Sequence, residues 1–147
     1  MCTLVLVGEQ DDTIERILSM FNTITVVGAS RHSDKAAYNV PFLMQREGWK
    51  IIPVNPYADR LYGEPAYRRI FDIPGGVTFV NVFRPAAEAP EVAQQAIDAG
   101  ASALWLQLGI TSPRARSMAR EAGLLYVEDR CLIVEQRRLG VSAPTVS

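Results

Sequence analysis

Short apolar strands alternate with amphipathic helices along the sequence, and this alternation restricts the fold more than any other feature. Residues 24–27 form an apolar, β-branched run that ends at Gly28, and a helix is predicted over about 35–47. Helical crossovers between near-continuous apolar strands are typical of a parallel sheet covered on both faces. We therefore predict an α/β fold, a single Rossmann-like doubly wound domain with a mainly parallel five-stranded sheet.

The same pattern predicts the other elements. Further strands are expected over 50–54, 77–82, 103–106 and 124–127, and helices over 12–21, 67–71, 86–99, 112–123 and 131–138. Asp11 or Asp12 is the expected cap of the first helix. Pro41 leaves two alternatives for the helix over 35–47: Asn39 is its true cap, or Ser33 caps a longer helix distorted near Pro41.

These elements divide the chain into three parts. We predict an N-terminal segment over 1–22 whose helix packs on the domain, the Rossmann-like domain itself over 23–139, and a disordered tail over 140–147.

The composition argues against nucleic-acid-binding and membrane-spanning proteins. The net charge of −1 offers no basic surface for nucleic acid, and no apolar run reaches the roughly 18 residues of a membrane span. With only two cysteines, we expect a soluble, cytoplasmic protein.

Ligands of open α/β sheets bind outside the carboxyl ends of the strands, so the residues that follow each strand are the candidate site. Gly28 permits a sharp turn, and Ala29 and Ser30 are small enough for a phosphate to approach the next helix N-terminus. Arg31 and Lys35 add positive charge. These features predict a phosphate-binding turn; the alternative is an ordinary tight connection between strand and helix.

The dinucleotide fingerprint is incomplete at this turn. G-x-G-x-x-G would need glycines where Ser30 and Ser33 stand. An NAD-binding domain also ends its second strand in an acid that binds the ribose, whereas here the second strand runs into Asn55 and Pro56. An NAD(P)-binding oxidoreductase or redox sensor is therefore an alternative that the sequence disfavours.

Six segments of the chain carry a resemblance to a known family. They are VVGAS at 26–30, IPVNP at 52–56, LYGE at 61–64, VFRP at 82–85, WLQLGI at 105–110 and DRCL at 129–132. In this order and spacing, over about 23–139, the chain resembles the small stand-alone bacterial CoA-binding proteins. These are similar to the N-terminal CoA-binding domain of the succinyl-CoA synthetase alpha subunit.

The resemblance implies that coenzyme A or an acyl-CoA is the ligand. It implies CoA phosphates at the turn after the first strand, a nucleotide pocket after the second and third strands, and a pantetheine route after the fourth. The residues in these places are Gly28, Ala29, Ser30, Asn55, Pro56, Phe83, Arg84, Pro85, Gln107, Gly109 and Ile110. The chain departs from the synthetase where Ala58, Asp59 and Arg60 replace a lysine–glycine–glycine stretch.

No set of residues predicts catalysis. His32 is the only histidine, so a metal site or a Ser–His–Asp triad has no support. Cys131 lies near a predicted helix start, where a reactive thiol and a buried structural cysteine are both conceivable. We therefore predict a CoA-binding module without catalytic or metal-ligating residues. A CoA-binding half of an enzyme that a partner chain completes is a further alternative, and the sequence leaves a protein partner open.

Overall fold

The computed structural model describes residues 2–145, and side chains from residue 10 onward. Five α-helices lie within this range: α1 (Cys2–Met20), α2 (Ala36–Arg46), α3 (Ala89–Asp98), α4 (Pro113–Glu121) and α5 (Leu132–Leu139). The described strands are β1 (Thr23–Val27), β2 (Lys50–Val54), β3 (Arg60–Leu61), β4 (Glu64–Pro65), β5 (Phe79–Val82), β6 (Ala103–Leu106) and β7 (Leu125–Val127).

Five of the strands form one parallel sheet in the order β2-β1-β5-β6-β7. The chain starts at β1, adds β2 on one side, and then crosses to β5 on the other side of β1. This is the flavodoxin-like strand order, whose reversal lies between the first strand and the third strand of the sheet. The predicted α/β class and the five-stranded parallel sheet are confirmed.

The two faces of the sheet are covered by different helices. Strand side chains alternate between the faces, as Trp105 and Leu106 do in β6. One buried cluster joins the sheet to α1, α2 and α5, and a second joins it to α3 and α4. Both faces of β5 and β6 are buried, and this burial accounts for the continuous apolar sequence of β6 and for the apolar residues of β5. The buried polar residue of β5 is Asn81, whose side-chain amide donates to the carbonyl of Trp105 at 3.2 Å.

The first helix is longer than predicted. It begins at Cys2 and runs through Asp11 and Asp12, so neither aspartate caps it. Residues 2–10 contain no proline and only one glycine, and nothing in this stretch ends a helix. The predicted apolar face is buried against the sheet through Ile14, Ile17 and Leu18.

Neither predicted cap of the second helix is right, because the N-cap is Lys35 and Asn39 lies inside the helix. The predicted range of 35–47 is correct to within one residue at each end. The helix contains Pro41, which has no N–H to donate to the carbonyl of Ala37. The backbone N–H of Ser30 and the hydroxyl of Tyr62 donate to that carbonyl instead, at 3.1 and 3.0 Å. These two bonds compensate for the proline and attach the turn after β1 to the helix.

Smaller differences occur elsewhere. The predicted helix over 67–71 is a 3₁₀ turn at Ile70–Asp72, and the polar segment before it contains the β3–β4 hairpin. The first part of the predicted disordered tail packs on the domain: the side-chain amide of Gln136 donates to the carbonyl of Val141 at 2.8 Å, and Val141 contacts the core. Residues 146–147 of that tail lie outside the described residues. Among the described helices, none has the length and apolar character that a membrane crossing requires.

Candidate functional site

The order in which the chain adds strands to the sheet reverses between β1 and β5. The loops that follow these two strands meet at this point. The N–H of Phe83 donates to the carbonyl of Val27 at 2.8 Å, and the N–H of Gly28 donates to the carbonyl of Val54 at 3.2 Å. The ends of β2, β1 and β5 are thereby joined by backbone hydrogen bonds. Ligands of this fold class bind at such a reversal.

Gly28 has a backbone conformation and surroundings that a side chain would disturb. Its φ of +89° lies in the region that favours glycine. A β-carbon there would lie 2.9 Å from Cδ of Arg84 and 3.1 Å from the carbonyl of Phe83. The glycine therefore lets the loops after β1 and β5 approach each other closely.

The rest of the turn after β1 is small and then positively charged. Ala29 is buried, and the Ser30 hydroxyl accepts the N–H of His32 at 3.0 Å. Arg31 and Lys35 are exposed, and Lys35 lies directly before α2. The first turn of a helix leaves N–H groups without partners in the helix, and its dipole favours an anion. The predicted turn thus brings these cations to the N-terminus of α2.

Asn55 ties the turn after β1 to the end of β2. Its side-chain amide donates to the carbonyl of Ala29 at 2.8 Å. Its side-chain oxygen accepts the N–H groups of Tyr57 and Ala58 at 2.7 and 2.9 Å. These contacts show a positioning role for the Asn55 side chain, while the neighbouring Pro56 is exposed and lines a groove.

Arg84 is held in place by an acid one helical turn ahead. Its Nη2 and Nε donate to the same carboxylate oxygen of Glu88, at 2.8 and 3.1 Å. The aliphatic part of Arg84 lies over Gly28, so the guanidinium group sits at the reversal point. Phe83 is half-buried beside it, and Pro85 is exposed.

The loop after β6 continues this edge of the sheet. Gln107 is buried, and its carbonyl accepts the N–H of Ile110 at 2.9 Å. The N–H of Gly109 donates to the carboxylate of Asp129 at 2.7 Å. The strand order therefore arranges the predicted residues along one edge: 55–56, then 28–30, then 83–85, then 107–110.

A groove of about 200 Å³ opens beside Gly28 on the face that carries α3. Val27, Val54 and Val92 form its apolar part. The remaining lining includes five polar residues that were not predicted from the sequence: Arg68, Arg69, Glu88, Glu91 and Gln95. The two adjacent arginines were the sequence signal that could have identified this part of the site. The predicted helix over 67–71 did not indicate that their side chains lie beside the end of β2.

Two residues considered for chemistry lie elsewhere on this edge. Cys131 is half-buried and immediately precedes α5, and the carbonyl of Arg130 beside it accepts the indole N–H of Trp105 at 2.9 Å. His32 is exposed in the turn after β1. Neither is joined by a described hydrogen bond to a second group that would activate it.

Comparison with known proteins identifies the domain. Residues 22–137 match the model of a family described as CoA binding domain. An uncharacterized protein of Bacillus subtilis, YneT, is 36% identical over 121 residues, which cover 82% of this chain and 90% of YneT. A relative of solved structure, a hypothetical protein from Pyrococcus horikoshii, has a TM-score of 0.83 and 33% identity over 88% of this chain and 91% of its own.

A larger enzyme contains a similar segment. The ADP-forming acetate–CoA ligase II of Archaeoglobus fulgidus is 34% identical over 103 residues, which cover 65% of this chain but only 15% of the ligase. The resemblance to small CoA-binding proteins that the six sequence segments predicted is therefore confirmed, and the larger enzyme that shares a similar segment is an acetate–CoA ligase. This chain belongs to the CoA-binding domain family.

Proposed function

We propose that this chain binds coenzyme A or an acyl-CoA at the carboxyl edge of its sheet and acts as a binding module. The CoA diphosphate lies at Gly28, Ala29 and Ser30, with Arg31 and Lys35 supplying charge. The pantetheine arm runs past Phe83 and Pro85 toward Gln107, Gly109 and Ile110. No catalytic group of this chain takes part.

One observation carries the proposal: in a member of the CoA-binding domain family, the turn after β1 meets Arg84 at the strand-order reversal. A diphosphate needs backbone N–H groups, a helix dipole and fixed cations. The start of α2 supplies the first two, and Arg84, held by Glu88, supplies a cation whose position is already set. Preorganised groups bind a ligand at lower entropic cost.

Isothermal titration calorimetry tests the proposal with CoA, acetyl-CoA and NAD as ligands. We expect CoA to bind with a Kd in the micromolar range or tighter, which corresponds to about −8 kcal/mol or better. NAD is expected to bind far more weakly, because Asn55 stands where an NAD site has its ribose-binding acid and its amide is already used by the loops. Binding of NAD in preference to CoA would contradict the proposal.

The Arg84→Gln variant locates the ligand. Glutamine keeps part of the aliphatic stem over Gly28 but removes the charge, so CoA affinity should fall about 10-fold while the thermal midpoint changes little. Arg114→Gln is the matched control on α4, where the residue is exposed and outside the groove. Equal CoA affinity in the two variants would place the diphosphate away from Arg84.

The similarity to the acetate–CoA ligase supports a second candidate function. In it, this chain holds CoA while a partner chain supplies the reacting groups. When the purified chain alone is incubated with CoA, acetate and ATP, the amount of free CoA thiol should then stay unchanged, because the reacting groups are absent. Addition of cell fractions from the native source should deplete the thiol only when this chain is present. Depletion that is independent of this chain would contradict the second candidate.

A further inference from the structure

The groove beside Gly28 has walls of opposite chemistry. Arg68 and Arg69 lie on the wall formed by the segment after β4, whereas Glu91 and Gln95 lie one turn apart on α3. Buried apolar side chains lie between the walls, among them Val54, Ile70 and Val92. A volume of about 200 Å³ suits one ring system rather than a whole CoA molecule.

The arginine wall offers cations that are weakly engaged. Arg68 lies 3.7 Å from Asp59, and Arg69 lies 3.3 Å from Asp72; all four side chains are substantially exposed. Exposed ion pairs of this kind contribute little to stability, so a phosphate dianion can replace the carboxylates at little cost. Arg68 is also anchored, because its guanidinium donates to the carbonyl of Pro56 at the end of β2.

The third arginine of the groove is engaged differently. Arg84 makes two hydrogen bonds to Glu88, and both residues line the groove on the side of α3. A terminal phosphate on the α3 wall would lie beside the carboxylate of Glu91, which would repel it, whereas one near Arg68 and Arg69 meets two forked donors that match its oxygens. The charge distribution therefore fixes which end of a nucleotide faces which wall.

We infer that this groove binds the 3′-phosphoadenosine end of CoA, with Arg68 and Arg69 holding the 3′-phosphate. The adenine ring lies on the apolar part, and its amino group faces the side-chain oxygens of Glu91 and Gln95. Gly28 lines the groove and also begins the proposed diphosphate turn, so one nucleotide reaches both places. The inference rests on the proposed function and adds a selectivity: the chain discriminates CoA from dephospho-CoA, which lacks only the 3′-phosphate.

Titration of the whole chain with CoA and with dephospho-CoA tests this selectivity. The parent protein should bind CoA at least about 10-fold more tightly than dephospho-CoA. The Arg68→Ala/Arg69→Ala variant should lose that factor for CoA and keep the parent affinity for dephospho-CoA, so its preference disappears. Arg114→Ala/Arg120→Ala is the matched control, since it removes the same charge from the exposed side of α4 and should keep the preference.

Each other outcome overturns the inference in a distinguishable way. Equal binding of the two ligands to the parent protein rejects the 3′-phosphate site and leaves CoA binding intact. Loss of the preference in the α4 control as well would assign it to overall charge rather than to the groove. Failure of the parent protein to bind either ligand would reject the proposed function together with the inference. Thermal melts of all variants, without ligand, establish that they are folded.

Discussion

Cδ of Arg84 occupies the space that a side chain on Gly28 would need, at 2.9 Å from an ideal β-carbon there. From the sequence, this glycine is expected to permit a sharp turn beside the predicted phosphate site. In the structure, the first neighbours of a side chain at this position are Arg84 and the backbone of Phe83. The glycine is therefore required by the domain itself, and substitution of Gly28 tests stability before it tests binding.

Gly28→Ala is expected to destabilise the domain more than Gly75→Ala. The two glycines have similar φ values, +89° and +85°, so the alanines share the cost of that conformation, about 1–2 kcal/mol. Apart from the glycine itself and its two chain neighbours, no atom lies within 4 Å of a β-carbon at Gly75, whereas Gly28 is crowded. Overpacking should add about 1–3 kcal/mol for Gly28→Ala in urea denaturation. Equal losses would mean that Arg84 moves aside freely.

Asn55→Ala should lower the free energy of unfolding by about 1–3 kcal/mol, because three hydrogen bonds between the loops are lost. Asn55→Asp loses the bond to Ala29 and sets a carboxylate oxygen near that carbonyl, but it keeps acceptors for the N–H groups of Tyr57 and Ala58. Because two of the three bonds remain, its loss should be smaller. Urea denaturation of both variants measures the difference. Similar losses in the two variants would show that the turn after Asn55 contributes little.

The stability of the domain should fall above about pH 10. Burial raises the pKa of Tyr62 above its usual range, and burial followed by the hydrogen bond to Glu128 does the same for the pKa of Tyr126. Above pH 10 the unfolded chain loses these protons while the folded chain keeps them, so unfolding is favoured as the pH rises.

Urea denaturation between pH 8 and pH 11 checks this pH dependence. The Tyr62→Phe/Tyr126→Phe variant should show a weaker decline than the parent, because two of the groups that lose protons on unfolding are absent. Tyr57→Phe is the control, since that ring is 79% exposed. A decline of the same steepness in the parent and the double variant would contradict the prediction.

Glu135→Gln is expected to cost about 2 kcal/mol, because Glu135 is buried and accepts charged hydrogen bonds from Arg138 at 2.7 and 3.2 Å. Arg130 lies 3.6 Å from the same carboxylate, and both arginines also pair with Asp11 on α1. Loss of the central charge therefore loosens the contact between α1 and α5.

Asp72→Asn is the control for this network, since it breaks the exposed pair with Arg69 and should change stability by no more than about 0.5 kcal/mol. Thermal and urea denaturation of both variants give the comparison. If Glu135→Gln is no more harmful than Asp72→Asn, the buried network makes no net contribution.

Much of the fold follows from local patterns. The strands at 50–54 and 103–106 have the predicted bounds, and Ser112 caps α4 by accepting the N–H of Ala115, as a serine before Pro113 suggests. The start of α1 was missed, and the sequence left open whether α2 begins before or after the residues near Pro41. The helix through Pro41 is supported by Tyr62, a residue 25 positions from the carbonyl it satisfies, and local sequence contains no sign of that contact.

The sequence by itself determined the α/β class, the glycine turn after β1 and the set of loops at the carboxyl edge, because periodicity, β-branching and turn residues act over a few positions. Only the tertiary structure decided that β5 lies beside β1, that Arg84 packs over Gly28, and that Arg68 and Arg69 face α3 across a groove. These relationships join segments far apart in the chain, and they arise only when the crossovers bring the strands into one sheet.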